Sequence, residues 1–393
     1  MSCPHCAAPV ADGDAFCEAC GGDLGTGASP AETTSASTDP APTASASAPT
    51  TAGPDDETAD HPRTHLLVPD GRARDLDGRS MDVDTSVPCV ACGAAVGDDG
   101  FCTVCGHRAR TRREHWTETH GDRVGAVCDK GISHARNEDA MATTVSETGV
   151  VVLVVCDGVT TAPDSDRASL AASVAAAEML AAVPAGAGGT GSTASRVSAW
   201  QPLLVGSCRV ANAEAVAAAR ALGDPPEPPS CTFVAAVLDG DLVATAWCGD
   251  SRAYWLPDDG EGEQLTVDHS LGTQLIRSGL TPEEAEADPR SHTITRWLGA
   301  DSVDPTPEFR AVVLDRPGWL LVCSDGMWNY ASSPAELSAL LARAAADGAT
   351  TATARAESLA AFANGCGGRD NITVALARWE PPLPSTPTAA EGS

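Results

Sequence analysis

Between residues 120 and 380 the chain alternates unbroken apolar runs with Ala-rich stretches and short polar breaks. Residues 151–156, VVLVVC, contain no polar position, which predicts a strand buried on both faces rather than one with a wet side. Residues 318–323, GWLLVC, repeat that form, and 371–379, NITVALARW, read as a last strand. The run CTFVAAVLDGDLVATAWCGDSRAYWL (231–256) predicts consecutive strands, with Asp239-Gly240 as a hairpin turn. Ala-rich residues 166–183 and 203–222 predict helices, as do 333–346 and 351–364. Residues 268–288 predict two short helices, the second opening at Thr281-Pro282-Glu283-Glu284, a capping signal. Outside this zone, the linker 25–87 and the tail 381–393 are tracts of Ala, Ser, Thr, Pro and acid. They lack the apolar periodicity a core requires and are predicted to be disordered.

Chemistry enters at the strand ends. The two apolar runs stop on Asp157-Gly158 and on Asp325-Gly326. A single Asp-Gly reads as a turn. An unpaired carboxylate buried at the end of a core strand costs several kcal/mol, so a pair of them calls for partners or cations. Glu138-Asp139 in HARNEDA, Asp250 in CGDSR and Asp370 in RDN also fall at predicted strand ends. An oxygen-only donor set would suit Mg²⁺ or Mn²⁺; pattern alone leaves turn acids and metal ligands both open.

A repeat lies upstream. CPHCAAPVADGDAFCEACGGDL (3–24) and CVACGAAVGDDGFCTVCGHRA (89–109) are two copies of one unit, each with two C-x-x-C pairs. The spacing suits tetrahedral Zn²⁺, with Cys3, Cys6, Cys17 and Cys20 in one site and Cys89, Cys92, Cys102 and Cys105 in the other. Redox-active or free thiols are the alternative. Units of 1–24 and 88–109 are too small to fold unaided, so two structural Zn²⁺ would supply their stability. The stretch HRARTRREH (107–115) reads as a solvated basic linker, or else as a stripe that docks on an acidic surface or RNA. Cys156, Cys248 and Cys323 stand within two residues of the strand-end acids and read as small core residues, with oxidation there as the sharper alternative.

Composition narrows the partners. A net charge of −29 with one lysine, Lys130, repels nucleic acid and anionic membranes, so neither is an expected partner. The start, MSCPHCAAPV, lacks the basic and apolar character of a secretory signal, and the longest apolar run is far below the ~20 residues of a spanning helix. The expected location is cytoplasmic. No G-x-S-x-G elbow and no G-x-x-x-x-G-K-[ST] loop is present, which removes two large enzyme classes.

Taken in order, RNEDA, VVCDG, SCTFVAAVL, CGDSRAYWL, LTVDHSL, ITRWLG, LLVCSDGMW and GRDNITVALA resemble the successive motifs of the type 2C class of metal-dependent serine/threonine protein phosphatases, bacterial type. The resemblance covers the whole zone 120–380 and implies an α+β fold, an α/β-β/α sandwich of two antiparallel sheets flanked by helices. It implies that Asp157 bridges two Mn²⁺ or Mg²⁺ ions, with the Gly158 carbonyl on the first and Asp325 and Asp370 on the second. Glu138 and Asp139 would act through metal-bound waters, and Asp250 with Asp325 would hold a third ion. A bridging hydroxide would attack the phosphorus of phosphoserine or phosphothreonine in phosphorylated proteins, members of a serine/threonine kinase pathway. The segment TQLIRSGLTPEEAEADPRSHTITRWLG resembles the mobile flap of bacterial members. Where the family usually carries Arg, four residues before Glu138, this chain has His134. Arg136 is therefore expected as the main phosphate contact, with His134 assisting. Val159 stands where many members have small residues. The zinc ribbons would target or regulate the enzyme; the alternative is a catalytically weak adaptor that binds phosphoproteins.

Overall fold

The structure, a computed structural model, describes residues 88–97, 100–183 and 191–381. The first four-cysteine unit with Cys3, Cys6, Cys17 and Cys20, the linker 25–87 and the tail beyond 381 lie outside the described residues. In chain order the strands are β1 (His115–His120), β2 (Val124–Asp129), β3 (Ala140–Val145), β4 (Val151–Cys156), β5 (Ser230–Cys231), β6 (Phe233–Asp239), β7 (Leu242–Cys248), β8 (Arg252–Pro257), β9 (Glu263–Gln264), β10 (Leu298–Gly299), β11 (Glu308–Val313), β12 (Gly318–Cys323) and β13 (Ile372–Trp379). The helices are α1 (Ser165–Ala181), α2 (Thr193–Ala221), α3 (Leu271–Arg277), α4 (Pro282–Glu286), α5 (Asp325–Trp328), α6 (Pro334–Ala346) and α7 (Ala352–Gly365).

Two antiparallel sheets carry the core. One has six strands in the order β1-β2-β13-β12-β8-β9, the other five in the order β11-β7-β6-β4-β3. The period of two along each strand explains the unbroken apolar runs. In β4, Val151, Leu153 and Val155 point into the layer between the sheets, while Val152, Val154 and Cys156 point out to α1 and α2. In β12, Leu320 and Val322 face the other sheet, while Trp319, Leu321 and Cys323 pack under α6 and α7. With helices on both outer faces, no side of a central strand is wet, and polar alternation disappears. This is the expected α/β-β/α sandwich.

Several predicted elements need correction. The helix expected at 203–222 begins ten residues earlier, at Thr193, with Ser192 as its cap accepting from the Ser195 amide at 3.3 Å. Pro202 lies inside it, so the helix forgoes one backbone bond there and continues through burial of Trp200, Leu204 and Cys208. Asp325 does not simply end β12; it opens α5. The sheet also begins at His115, ahead of the expected boundary at 120, because β1 pairs in full register with β2. The flap helix α4 matches its reading: Thr281 and Glu284 form the reciprocal capping box.

Six cysteines of the core, Cys128, Cys156, Cys208, Cys231, Cys248 and Cys323, are fully buried. Burial pushes the thiols of Cys156 and Cys323 up from their ordinary value, which fits their reading as core residues.

Candidate active site

The acids converge at one end of the sandwich. Asp157 follows β4, Asp250 lies two residues past β7, Asp325 heads α5, Asp370 precedes β13 by two residues, and Glu138-Asp139 lead into β3. Asp139 joins the two sheets: one of its carboxyl oxygens accepts from Ser324 Oγ and from Thr373 Oγ1, both at 2.7 Å, and these hydroxyls belong to the opposite sheet. The turn after β4 is pinned by the Asp157 amide donating to Thr232 Oγ1 at 3.0 Å and the Thr232 amide donating to the Asp157 carbonyl at 2.7 Å.

Both Asp-Gly pairs owe their glycine to a close approach. A Cβ on Gly158 would come within 2.6 Å of the Glu138 carbonyl oxygen. One on Gly326 would come within 1.9 Å of the Asn371 carbonyl oxygen. Each glycine lets an acid-bearing turn press against another acid-bearing segment.

The electrostatics follow from this crowding. Burial raises the Asp157 carboxyl well above its ordinary range, and the charges of Asp139, Asp325, Asp370 and Asp250 push it the same way. Asp157 sits within hydrogen-bonding reach of both Asp139 and Asp325. Asp325 is raised by burial and then by Asp370, Asp250 and Asp139. Burial, joined by neighbouring acids, lifts Glu138 to about 7, Asp139 to about 6 and Asp250 to about 7. Glu138, Asp139, Asp157, Asp250 and Asp325 thus share one field, to which the charge of Asp370 contributes, and in it each resists ionisation of the next. Oxygen donors whose neighbouring cations leave them raised above the ordinary carboxylate range fit hard divalent ions.

The two residues expected to grip phosphate are engaged with these acids. His134 Nε2 lies 3.2 Å from Asp370 Oδ1. Arg136, half exposed, reaches Glu138 Oε1 at 3.5 Å and Asp164 Oδ1 at 3.2 Å. Asp164, which precedes α1, has the left-handed backbone φ of 58°.

Three features escaped sequence reasoning. Asn371 accepts from the Glu138 amide at 2.7 Å and donates to the Lys130 and Arg136 carbonyls at 2.7 and 3.0 Å, so it ties the loop before β3 to the start of β13. The RDN segment carries its signal, an amide directly after the acid. Arg252 forms a forked pair with Asp268 and lies 3.6 Å over the ring of Trp328, which itself donates to the Asp250 carbonyl at 3.0 Å. His269, buried, accepts from the Gly249 amide at 3.1 Å and meets Glu308 at 3.3 Å, fastening the flap's root beside Asp250.

Apart from the acids stands the four-thiol cluster. The sulfurs of Cys89, Cys92, Cys102 and Cys105 lie within 4.8 Å of one another, and no other His, Cys or acidic set draws together so closely among the described residues. The amides of Val104 and Cys105 point at Cys102 Sγ from 3.5 Å, and with Cys105 first among the causes the Cys102 thiol falls to about 6. Cys89 and Cys102 are buried with Val96 and Ala109 in a miniature core. The basic stretch after it is not a solvated linker: Arg110 Nη1 binds Asp129 Oδ2 at 2.6 Å, and Arg108 pairs with Glu114.

A fold of two antiparallel sheets with helices outside, and acids gathered at one end, defines a class. The family model for protein phosphatase 2C matches residues 131–363, more than half of the chain, and the chain belongs to that family. Protein phosphatase PhpP of Streptococcus pneumoniae is 40% identical over 144 residues, which cover 36% of this chain and 55% of that relative; the chain thus spans about half the length of this relative. The crystal structure of serine/threonine phosphatase Stp1 from Staphylococcus aureus matches 67% of this chain and 99% of its own, at 26% identity and a TM-score of 0.54. The catalytic domain of the serine/threonine protein phosphatase PstP, in complex with two manganese ions, matches 65% of this chain and 97% of its own, at 26% identity and a TM-score of 0.50. No helix among the described residues is long and apolar enough to cross a membrane.

Proposed function

We propose that this protein removes phosphate from phosphoserine and phosphothreonine in other proteins, with the acid cluster as its active site. The observation that carries the reading is the meeting of Asp139, Asp157, Asp325 and Asp370, delivered by segments of both sheets, in one field that raises Asp157 and Asp325. Asp157, central between Asp139 and Asp325, and the Gly158 carbonyl would hold one Mn²⁺ or Mg²⁺. Asp157, Asp325 and Asp370 would hold the second, and Asp250 with Asp325 would hold a third. When bound, such ions neutralise the acids and activate water for attack at phosphorus. The chain's own groups do the rest. Asp139, fixed by Ser324 and Thr373, and Glu138, fixed through its amide by Asn371, orient the donor set. Arg136 would swing from Asp164 to the substrate phosphate, whose two oxygens a guanidinium matches, and His134 would assist. The PstP structure with two manganese ions and the phosphatase names of the relatives support this reading.

The four-thiol cluster would hold Zn²⁺, a sulfur-only set of this closeness suiting tetrahedral coordination. The first unit, with the same spacing, would hold a second Zn²⁺. We place the protein in the cytoplasm, acting on the phosphorylated proteins of a serine/threonine kinase pathway, with the repeats 1–24 and 88–109 as an accessory module. The test is phosphate release from a phosphothreonine peptide with and without added Mn²⁺. Release only with the metal is expected. Tight peptide binding without release would favour the adaptor instead.

A further inference from the structure

The segment that joins the four-thiol unit to β1 passes directly behind the active-site loop. Ala109 is the hinge of the arrangement. It is buried in the thiol unit's core, and its amide donates to the Gly100 carbonyl at 2.8 Å. Its two neighbours therefore leave that unit in fixed directions. Arg108 reaches Glu114, a buried acid that also meets Lys130 Nζ at 3.5 Å. Arg110 reaches Asp129, which is almost fully buried at the end of β2.

Asp129 is fully engaged. Its carboxylate accepts from Arg110 at 2.6 Å, His115 Nδ1 at 2.7 Å, the Gly131 amide at 2.8 Å and Asn364 Nδ2 at 3.0 Å. Burial alone would raise this carboxyl; the hydrogen bonds, His115 and Asn364 before the others, hold it at about 2. From Asp129 the chain runs straight into the loop 130–139. Gly131 has a φ of 75° and packs so closely that a Cβ would lie 2.1 Å from the Asp370 carbonyl oxygen. The Ile132 amide donates to the Gly368 carbonyl at 2.8 Å, and Asn371 holds the Lys130 and Arg136 carbonyls. Further along, the Arg113 carbonyl accepts from Asn137 Nδ2 at 3.2 Å, one residue before Glu138, while Arg113 Nη2 reaches the Asp166 carbonyl at 3.5 Å.

We propose that Arg110 and Asp129 are positioning residues for the active site: the thiol unit, gripping Ala109, holds residues 108–114 against Asp129, Lys130 and Asn137, and so fixes the loop that carries His134, Arg136, Glu138 and Asp139. This rests on the phosphatase reading for its kinetic consequence, not for its structural one. The unit between 88 and 109 is then not merely an address label; its folded state sets the geometry of the acids without lending them a ligand. Arg suits the task because its guanidinium is planar and always charged, so the single bond from Nη1 to Asp129 Oδ2 keeps its direction better than one from the freely turning ammonium of a lysine.

The experiment uses the full chain with Mn²⁺. Wild type, Arg110→Ala, Arg110→Lys and Cys102→Ser are compared by steady-state kinetics on p-nitrophenyl phosphate and by amide hydrogen exchange. Arg110→Ala is expected to lower kcat about tenfold with KM changed by less than about twofold, because positioning is lost rather than binding. Exchange should quicken about tenfold over 130–139 and 366–371 while β12 stays protected. Arg110→Lys should recover part of both effects, and Cys102→Ser should reproduce them. Wild-type kcat together with wild-type exchange in Arg110→Ala would overturn the proposal, as would a loss of protection spread evenly over β12. So would Cys102→Ser that leaves 130–139 protected. If Arg110→Ala does not fold, Arg110→Lys decides by the same readings. If the wild type releases no phosphate, the phosphatase reading fails, and the exchange measurements alone judge whether Arg110 and Asp129 fix the loop 130–139.

Discussion

The four thiols and the six carboxylates are built by opposite routes. All four thiols fall between residues 89 and 105, so a few turns of local chain bring them together. The carboxylates run from Glu138 to Asp370, and only the completed pairing of two sheets makes them neighbours. The thiol unit has a core of Cys89, Val96, Cys102 and Ala109 and little else, so its metal would create its structure. Around the carboxylates the sandwich already exists, and its structure would hold the metals. In one region the proposed ligands are themselves the architecture. In the other the architecture is apolar, and Asn371, Ser324 and Thr373 hold the acid-bearing segments in place.

That contrast can be broken in several ways. The largest effect is expected of Asp157→Asn. It removes the central charge and should cut Mn²⁺-dependent hydrolysis about a thousandfold or more, to background. Zinc content by mass spectrometry should stay unchanged. Full activity of this variant would end the assignment of the acid cluster.

Asn371→Ala tests whether non-ligands aim the site. It deletes three bonds, to Glu138, Lys130 and Arg136, and should lower kcat about 10–100-fold, as three bonds worth about 0.5–1 kcal/mol each would. A variant with normal kinetics would mean that the carboxylates hold their own geometry, as the thiols do. Arg136→Ala should cost less, about tenfold in kcat/KM on a phosphothreonine peptide, because the side chain is half exposed and already shared with Asp164. Unchanged kinetics would leave Arg136 as a surface tether only.

The smallest effect is on stability against pH. Glu138, Asp139 and Asp250 have carboxyls raised to about 7, 6 and 7 in the fold. Each favours its neutral form, so its stabilising contribution is complete below the ordinary carboxylate range and disappears as pH rises through about 6 to 7. Asp129, held at about 2, works the other way, its contribution failing only as pH falls through that value. The cation-free protein should therefore melt lower at pH 8 than at pH 5, by a few degrees, and Mn²⁺ should restore more at pH 8. A melting temperature that stays flat between pH 5 and pH 8 without metal would contradict the shared field.

Much of this was legible in residues, and what was not has a physical reason. Central strands such as β4, β12 and β13 announced themselves because burial on both faces leaves nothing polar. The strands β1, β3 and β11 did not, since they lie at sheet edges and carry mixed faces such as HWTETH. Cap chemistry placed α4 closely, while Pro202 and the lack of apolar periodicity hid the first third of α2. The strand-end acids could be collected from position alone, but not the hydroxyls on Asp139 or the reach of Asn371 across some 230 residues. The basic stretch 107–115 misled because charge runs are usually solvated; one partner, Glu114, stands inside the stretch itself, and the other, Asp129, is a distant acid that burial hides from composition.

The placement of sulfur has a consequence for how this protein would age under oxidative stress. The thiols within two residues of the acids in sequence, Cys156, Cys248 and Cys323, are sealed in the core, where a peroxide cannot reach them. Among the described residues the exposed thiols are Cys92, Cys105 and Cys366. Damage would therefore arrive in a fixed order, with the thiol unit spent while the acid cluster is still chemically intact. Peptide mapping after graded peroxide should find Cys92 and Cys105 modified long before Cys156.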